Sequence, residues 1–285
     1  MVSAFWNRVV ATGLEVPVDR PLAELTTELT SMLGDPDPSV REDVAYPTLA
    51  AWIGEGVYDE LLEGLGDGMT TGLTIGLGDD GTDTVFRRSF SARVLAACLG
   101  RDAEQHLLSS HTVLRWGDRI AGWYVRERDL RGFIDGKGWA HAVAHGADAL
   151  SVLAGSEAFG RLELTVLLDV IADRLSTPTT HRFVHGEDDR LAIATMAVLR
   201  RNVLTLDEIE PWVARLAANG STARRSDDRP VASHRDPSSV AGNVQAYLRA
   251  LHLQVAVAAD PPACRSDLLL FLIDRLKETN PHLFG

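Results

Sequence analysis

Apolar residues return every three to four positions along almost the whole chain, and runs in which Val, Ile or Thr alternate with polar residues are missing. A segment with that period can bury a continuous stripe only as a helix, so the sequence predicts an all-α fold. Helices are expected at about 20–33, 39–54, 58–75, 83–99, 102–128, 137–154, 160–175, 187–201, 206–219, 238–258 and 264–278. Turn-forming stretches separate several of them: GDPDPS from Gly34, GSEAFG from Gly155 and STPTT from Ser176.

The segment GDPDPSVREDVAYPTLAAWI resembles a HEAT-like repeat, in which an Asp/Pro turn leads into a helix carrying Val-Arg and then small apolar residues. Here these are Asp37, Pro38, Val40, Arg41, Val44 and Ala45. Helix pairs of this kind bury their apolar stripes only by stacking on neighbours. With one good copy, the expectation is a HEAT-like α-α superhelix of stacked antiparallel helix pairs, and an ordinary helical bundle is the alternative. The 285 residues, 45% of them hydrophobic, suffice for a single helical-repeat-like domain over 1–285. Between residues 220 and 239 the chain is rich in charge, Ser and Pro with almost no large apolar residue, which predicts a disordered insertion.

Forty acidic residues against 28 basic ones give a net charge of -12, which repels a phosphate backbone. The arginines at Arg224, Arg225 and Arg229 are interleaved with Asp227 and Asp228, so no basic patch emerges and nucleic acid is not expected as a partner. Cys98 and Cys264 sit far apart in apolar helical contexts, which suggests neither a disulfide framework nor a thiolate metal cluster. Neither a signal peptide nor a membrane-length apolar run is found, so the expectation is a cytoplasmic protein with no membrane partner.

GLGDDG, from Gly76 to Gly81, has the spacing of a dinucleotide-binding turn but follows a helix and carries Asp79 and Asp80, which would repel phosphate. It is expected to be a flexible helix-to-helix loop with Asp83 capping the next helix. In VFRRSFSARVLAACLG, Val85, Phe86, Phe90, Val94 and Leu95 are the expected core, with Arg87, Arg88 and Ser91 left over. Those arginines either pair with Asp79, Asp80 or Asp83, or one reaches into a groove to hold a carboxylate or phosphate of a ligand. Glu127 and Arg131, four apart, either pair on a helix face or line a cavity with the segment that follows.

That segment, KGWAHAVAHGAD from Lys137, sets two histidines four residues apart. On a helix over 137–154, with 100° per residue from His141, His145 falls at about 40°, Asp148 at about 340° and Lys137 at about 320°. Trp139, Val143, Ala147 and Leu150 fall on the opposite side, so the histidines are expected to face away from the core, among small neighbours. Two such imidazoles can share one metal ion, zinc for instance, with Asp148 as a third ligand or a support. The same stripe also fits a metal-free polar pocket, or histidines hydrogen-bonded between stacked helices. Downstream, HRFVHGEDDR places His185 and Glu187 at the head of a helix, where acids either complement the helix dipole or complete the same site.

The segments EDVAYPTLAAWI, VFRRSFSARVLA, RDLRGFIDGKGWAHAVAHGADALSVLA and EDDRLA together resemble a bacterial family known as domain of unknown function 2785, over residues 25 to 215. The resemblance implies a HEAT-like helical fold and no established activity. The family's typical polar positions would correspond to Arg88, Glu127, Asp129, Arg131, Lys137, His141, His145, Asp148, Glu187 and Arg190.

The functional expectation is recognition of a small polar molecule around His141, His145 and Asp148, extending to metal-assisted hydrolysis. In that case His141 and His145 are metal ligands, Glu127 or Glu187 the base, and Arg88, Arg131, Lys137, Asp148 and Arg190 ligand-binding. A non-enzymatic α-solenoid scaffold with a protein partner is the rival. In a gel-shift assay at physiological salt the protein is expected to leave duplex DNA unshifted; micromolar, salt-sensitive retardation would contradict the charge argument.

Overall fold

A computed structural model describes residues 2–221 and 238–280. Most of the stretch 220–239, expected to be an insertion, lies outside the described residues. Helices on the three-to-four period make up most of the described residues, and the fold is all-α. The chain divides into two compact units, Met1–Ala158 and Phe159–Gly285, and the division falls inside the GSEAFG turn.

In the first unit, α1 (Ala4–Ala11), absent from the sequence expectation, and α2 (Leu22–Met32) precede a kinked helical segment. That segment runs through α3 (Pro38–Val40), a π-helical turn at Arg41–Ala45 and α4 (Tyr46–Gly54). Asp37 caps its start, accepting the Ser39 N–H at 2.9 Å, with Pro38 in the first turn where no N–H is needed. The π-turn has a cause in Pro47, which has no N–H for the carbonyl four residues back and whose ring crowds it. The ladder slips by one, and the Tyr46 N–H bonds to Arg41 O.

A 3-10 turn (Asp59–Leu61) and α5 (Leu62–Gly72) follow, then α6 (Thr84–Gln105), α7 (Ser110–Arg126), a short hairpin of β1 (Phe133–Ile134) and β2 (Gly138–Trp139), and α8 (Ala142–Gly155). On α6 the expected core residues Val85, Phe86, Phe90, Val94 and Leu95 are all fully buried. The break expected between 99 and 102 falls later, because α6 runs on to Gln105 and α7 starts at Ser110. His106 takes a left-handed conformation (φ 55°) that ends α6, the Asp102 carboxylate accepts the Leu108 N–H at 2.7 Å, and Ser109 caps α7 by accepting the Thr112 N–H. Periodicity misplaces this break because apolar spacing resumes after a turn without Gly or Pro. α8 packs against both α6 and α7.

The second unit comprises α9 (Arg161–Ser176), α10 (Glu187–Arg200), α11 (Leu206–Gly220), α12 (Ser238–Val257) and α13 (Arg265–Thr279). A capping box opens α11: Glu208 accepts the Thr205 N–H at 2.7 Å, and that bond together with Arg161 holds its carboxyl down at about 2. Val244, Tyr247, Leu248, Leu251 and Val255 form the buried stripe of α12. Tyr247 and Trp212 are paired within this core: Tyr247 with Thr195 at 2.7 Å, and the Trp212 indole N–H with Leu168 O at 2.8 Å. Among the described residues, no helix is long and apolar enough to cross a membrane.

Two glycines on helices of the first unit should respond oppositely to the same change. A Cβ at Gly146 on α8 would run into the Tyr124 ring, whereas one at Gly68 on α5 meets nothing within 4 Å. Urea unfolding is expected to show Gly146→Ala less stable by about 1–3 kcal/mol, and Gly68→Ala more stable by roughly 0.5–1 kcal/mol.

Candidate functional site

After α7 the chain opens out through Gly132, Gly136 and Gly138, the last two at φ 73° and 76°. A Cβ at Gly138 would collide with the Glu42 carboxylate, so the strand passes that point only as glycine. The backbone N–H groups at the head of a helix from 137 bond outside it, including that of His141, which would make the first intrahelical bond. Trp139 donates to Glu42 Oε1 (2.8 Å), Ala140 to Gly132 O (2.8 Å) and His141 to Arg131 O (3.1 Å). The expected helix over 137–154 is therefore corrected: α8 begins at Ala142, and His141 is its N-cap residue in a left-handed conformation, φ 50° and ψ 34°.

This correction changes what the histidines face. Trp139, placed on the far side by helical arithmetic, stacks on the His141 ring at 4.2 Å between centroids and 25° between planes. His145 was expected to face away from the core and is instead buried, 5% exposed, because α6 covers that side of α8. Helical spacing gives the angle between two side chains but not which neighbour covers each face. A run of rings results: Phe133 meets Trp139 edge-on at 5.0 Å, Trp139 stacks on His141, His141 meets His145 at 5.9 Å, and His145 meets Phe90 at 5.1 Å.

Ser89 on α6, overlooked in the sequence, fixes the tautomer of His145. The Ser89 hydroxyl donates its one proton to the Ala140 carbonyl, which can only accept. The 2.8 Å bond between Ser89 Oγ and His145 Nδ1 must then be donated by the imidazole, leaving Nε2 as the basic atom of the neutral ring. The available signal was a polar residue three places from Phe86 on the buried face of a helix.

The charged candidates in this unit are largely engaged in holding the backbone. Arg88, fully buried, grips both oxygens of Glu127 through Nε (2.6 Å) and Nη2 (2.9 Å), while Nη1 donates to Ile75 O, Gly76 O and Thr84 Oγ1. Glu127 also accepts from the Trp123 indole and from the backbone N–H groups of Arg128 and Asp129. The sequence offered Glu127 as a partner for Arg131, and Asp79, Asp80 or Asp83 as partners for the arginines of α6. Arg131 pairs with Asp129 instead (2.6 Å), which holds its guanidinium above the usual arginine range, and also donates to Thr82 O.

Asp129 in turn accepts the Gly81 N–H at 3.1 Å. The loop expected to be flexible is thus latched at both ends. Asp83 stands at the N-cap of α6 but makes no capping bond; its carboxylate takes Lys137 Nζ at 2.7 and 2.8 Å. From the other side Arg41, fully buried, donates to Lys137 O and Glu42 Oε1, both at 2.5 Å, with its guanidinium 3.9 Å over the Phe86 ring. Burial pulls the Arg41 pKa down despite that carboxylate.

Asp148 is half-buried on α8. Glu187 and Arg190 stand in the second unit, in the first turn of α10; Glu187 is buried and accepts the His185 N–H at 2.8 Å. Among the described residues, no group of three or more His, Cys, Asp or Glu side chains is placed to hold a metal ion.

A protein-family model matches residues 73–253, more than half of the chain. Its description is protein of unknown function (DUF2785). The chain belongs to this family. The DUF2785 match takes in α6, α7, the hairpin and α8, together with most of the second unit as far as α12. It differs from the span of the sequence resemblance at both ends: EDVAYPTLAAWI lies outside it, and the stretch 220–239 lies inside. No curated protein and no solved structure matches the chain.

Removing one partner of the buried Arg88–Glu127 pair strands the other in a dry site. Arg88→Met and Glu127→Gln are each expected to cost about 3–5 kcal/mol. In a double-mutant cycle read by denaturant unfolding, the double variant should lose clearly less than the sum.

Proposed function

We propose that this DUF2785 protein recognises a small polar molecule at the surface formed by Trp139, His141 and Asp148, with His145 as the buried support beneath it. The observation that carries this reading is the backbone of His141. A side chain held at φ 50° at a helix start, with its ring stacked on Trp139, costs about 1–3 kcal/mol and persists only where its surroundings impose it. Here Arg131 O, Glu42 and the glycines of the hairpin do so.

Recognition is favoured over metal-assisted hydrolysis by the donor set. A zinc ion on His141 and His145 would have no third protein ligand among the described residues, whereas catalytic zinc sites use three. Glu127, a candidate base, already accepts five N–H groups. Lys137, in the turn of the same hairpin, is half-exposed and pairs with Asp83 at the N-cap of α6, which would give the surface both signs of charge.

The strained position makes a clean test, because glycine adopts its conformation at no steric cost. His141→Gly is expected to unfold within about 1 kcal/mol of the wild type, while His145→Ala, which strands Ser89, loses about 1–3 kcal/mol. Native mass spectrometry of the protein as purified should show a small-molecule adduct that His141→Gly no longer carries. Retention of the adduct by that variant would overturn the reading. So would the absence of any adduct, if the His141 ring resonances also stay unmoved by a panel of amino acids, carboxylates and nucleosides.

A further inference from the structure

Within the first unit, α2 and α5 border a groove of about 450 Å³, a size typical of small-molecule sites. Leu22, Leu61, Leu65 and Met69 give it apolar walls, and Thr26 and Tyr58, hydrogen-bonded to each other at 2.9 Å, add polar edges. Burial pushes the Tyr58 phenol up to about 12, so it stays protonated. Gly64 and Gly68, one turn apart on α5, face the same space, and a Cβ at either would meet nothing within 4 Å. The groove is open along that helix because two side chains are missing.

Arg87 of α6 also lines the groove. Its stem fits beside Gly34 and Gly72: a Cβ at Gly34 would come within 3.2 Å of the Arg87 Cβ, and one at Gly72 within 3.1 Å of its Nε. Arg20, Arg41, Arg88, Arg93, Arg101, Arg115 and Arg131, the other arginines of this unit that are at least half-buried, each have an ion pair, a hydrogen bond or an aromatic ring. Among the described residues Arg87 has none of these, and its Nε is buried without a hydrogen-bond partner. Desolvation accordingly pulls its pKa down. The carbonyl ends of α2 and α5, at Met32 and Gly72, lie near Gly34 and Gly72 and favour a cation there, but they occupy none of its donors. Glu60, the acid on the groove wall, is exposed and forms no ion pair with Arg87.

A planar cation with unused donors at an apolar groove, on a chain of net charge -12, selects an anion whose remainder is apolar. We infer that the groove between α2 and α5 binds a small monocarboxylate with an apolar tail, the carboxylate on the Arg87 guanidinium and the tail along Leu61, Leu65 and Met69. This site is separate from the His141 surface, and its test does not depend on that reading.

Octanoate is the probe, with octanol as its uncharged counterpart, each titrated calorimetrically into the full chain at low salt. One octanoate per chain is expected to bind, and octanol at least about tenfold more weakly, as the loss of one charge-assisted contact implies. Arg87→Met, which keeps the stem and removes the charge, should weaken octanoate by a similar factor and leave octanol unchanged. Gly68→Leu, which fills the groove from an exposed helical position, should abolish both and leave the unfolding midpoint at or above that of the wild type. Equal binding of octanol and octanoate, binding that survives Gly68→Leu, or no octanoate binding by the wild type would each overturn the inference. Should Arg87→Met fail to fold, the octanol comparison still tests the charge and Gly68→Leu the place.

Discussion

The buried Arg88–Glu127 pair is the constraint on which the arrangement of the first unit depends. Glu127 comes directly after α7, and Arg88 lies one turn into α6, so the two-pronged contact fixes where the chain goes when α7 ends. Taking both charges out of water is costly, and the cost is offset only when every remaining lone pair and proton is satisfied. That requirement recruits the backbone: Arg88 holds the carbonyls of residues 75 and 76, and Glu127 holds the N–H groups of residues 128 and 129. The pair therefore orders two loops that have little apolar content of their own.

From that point the order passes along the chain. With Asp129 fixed, Arg131 is fixed beside it, and its carbonyl receives the His141 N–H. Arg41 and Glu42 reach the same hairpin from the π-turn, a distortion traced to Pro47, and bind the carbonyl of Lys137 and the N–H of Trp139. Held from both directions, His141 cannot relax into the helix that follows it. Its left-handed backbone is a consequence of two buried arginine networks closing on one short strand.

The all-α class was legible because the three-to-four period is a property of each segment alone, and the buried stripe of α6 from Val85 to Leu95 was placed correctly for the same reason. KGWAHAVAHGAD was singled out in the sequence as the candidate site, and it holds His141, a non-glycine residue with a left-handed backbone. Its geometry was not legible. Lys137 to His141 has helical spacing, but its N–H groups are captured by Glu42, Gly132 and Arg131, which are remote or follow a different turn. No local pattern reveals such competition. His145 failed differently, since α8 is covered on two sides and a polar residue on its second face is buried as firmly as an apolar one.

Arg87 and Arg88 show the same limit at the scale of one residue. The sequence supplied a reason for one of them to enter a groove and hold an anion, and Arg88 was the choice. Neighbours on a helix point about 100° apart, so the two cannot share an environment. Arg88 turns toward the end of α7 and meets a carboxylate there; Arg87 turns toward α2 and α5, where Gly34 and Gly72 make room for it and no described carboxylate pairs with it. Burial of an arginine without an acid is disfavoured by desolvation, and a chain with 40 acidic residues had many ways to supply one. That the acid is missing beside Arg87 and present beside Arg88 separates a residue that builds the fold from one placed to meet something outside it.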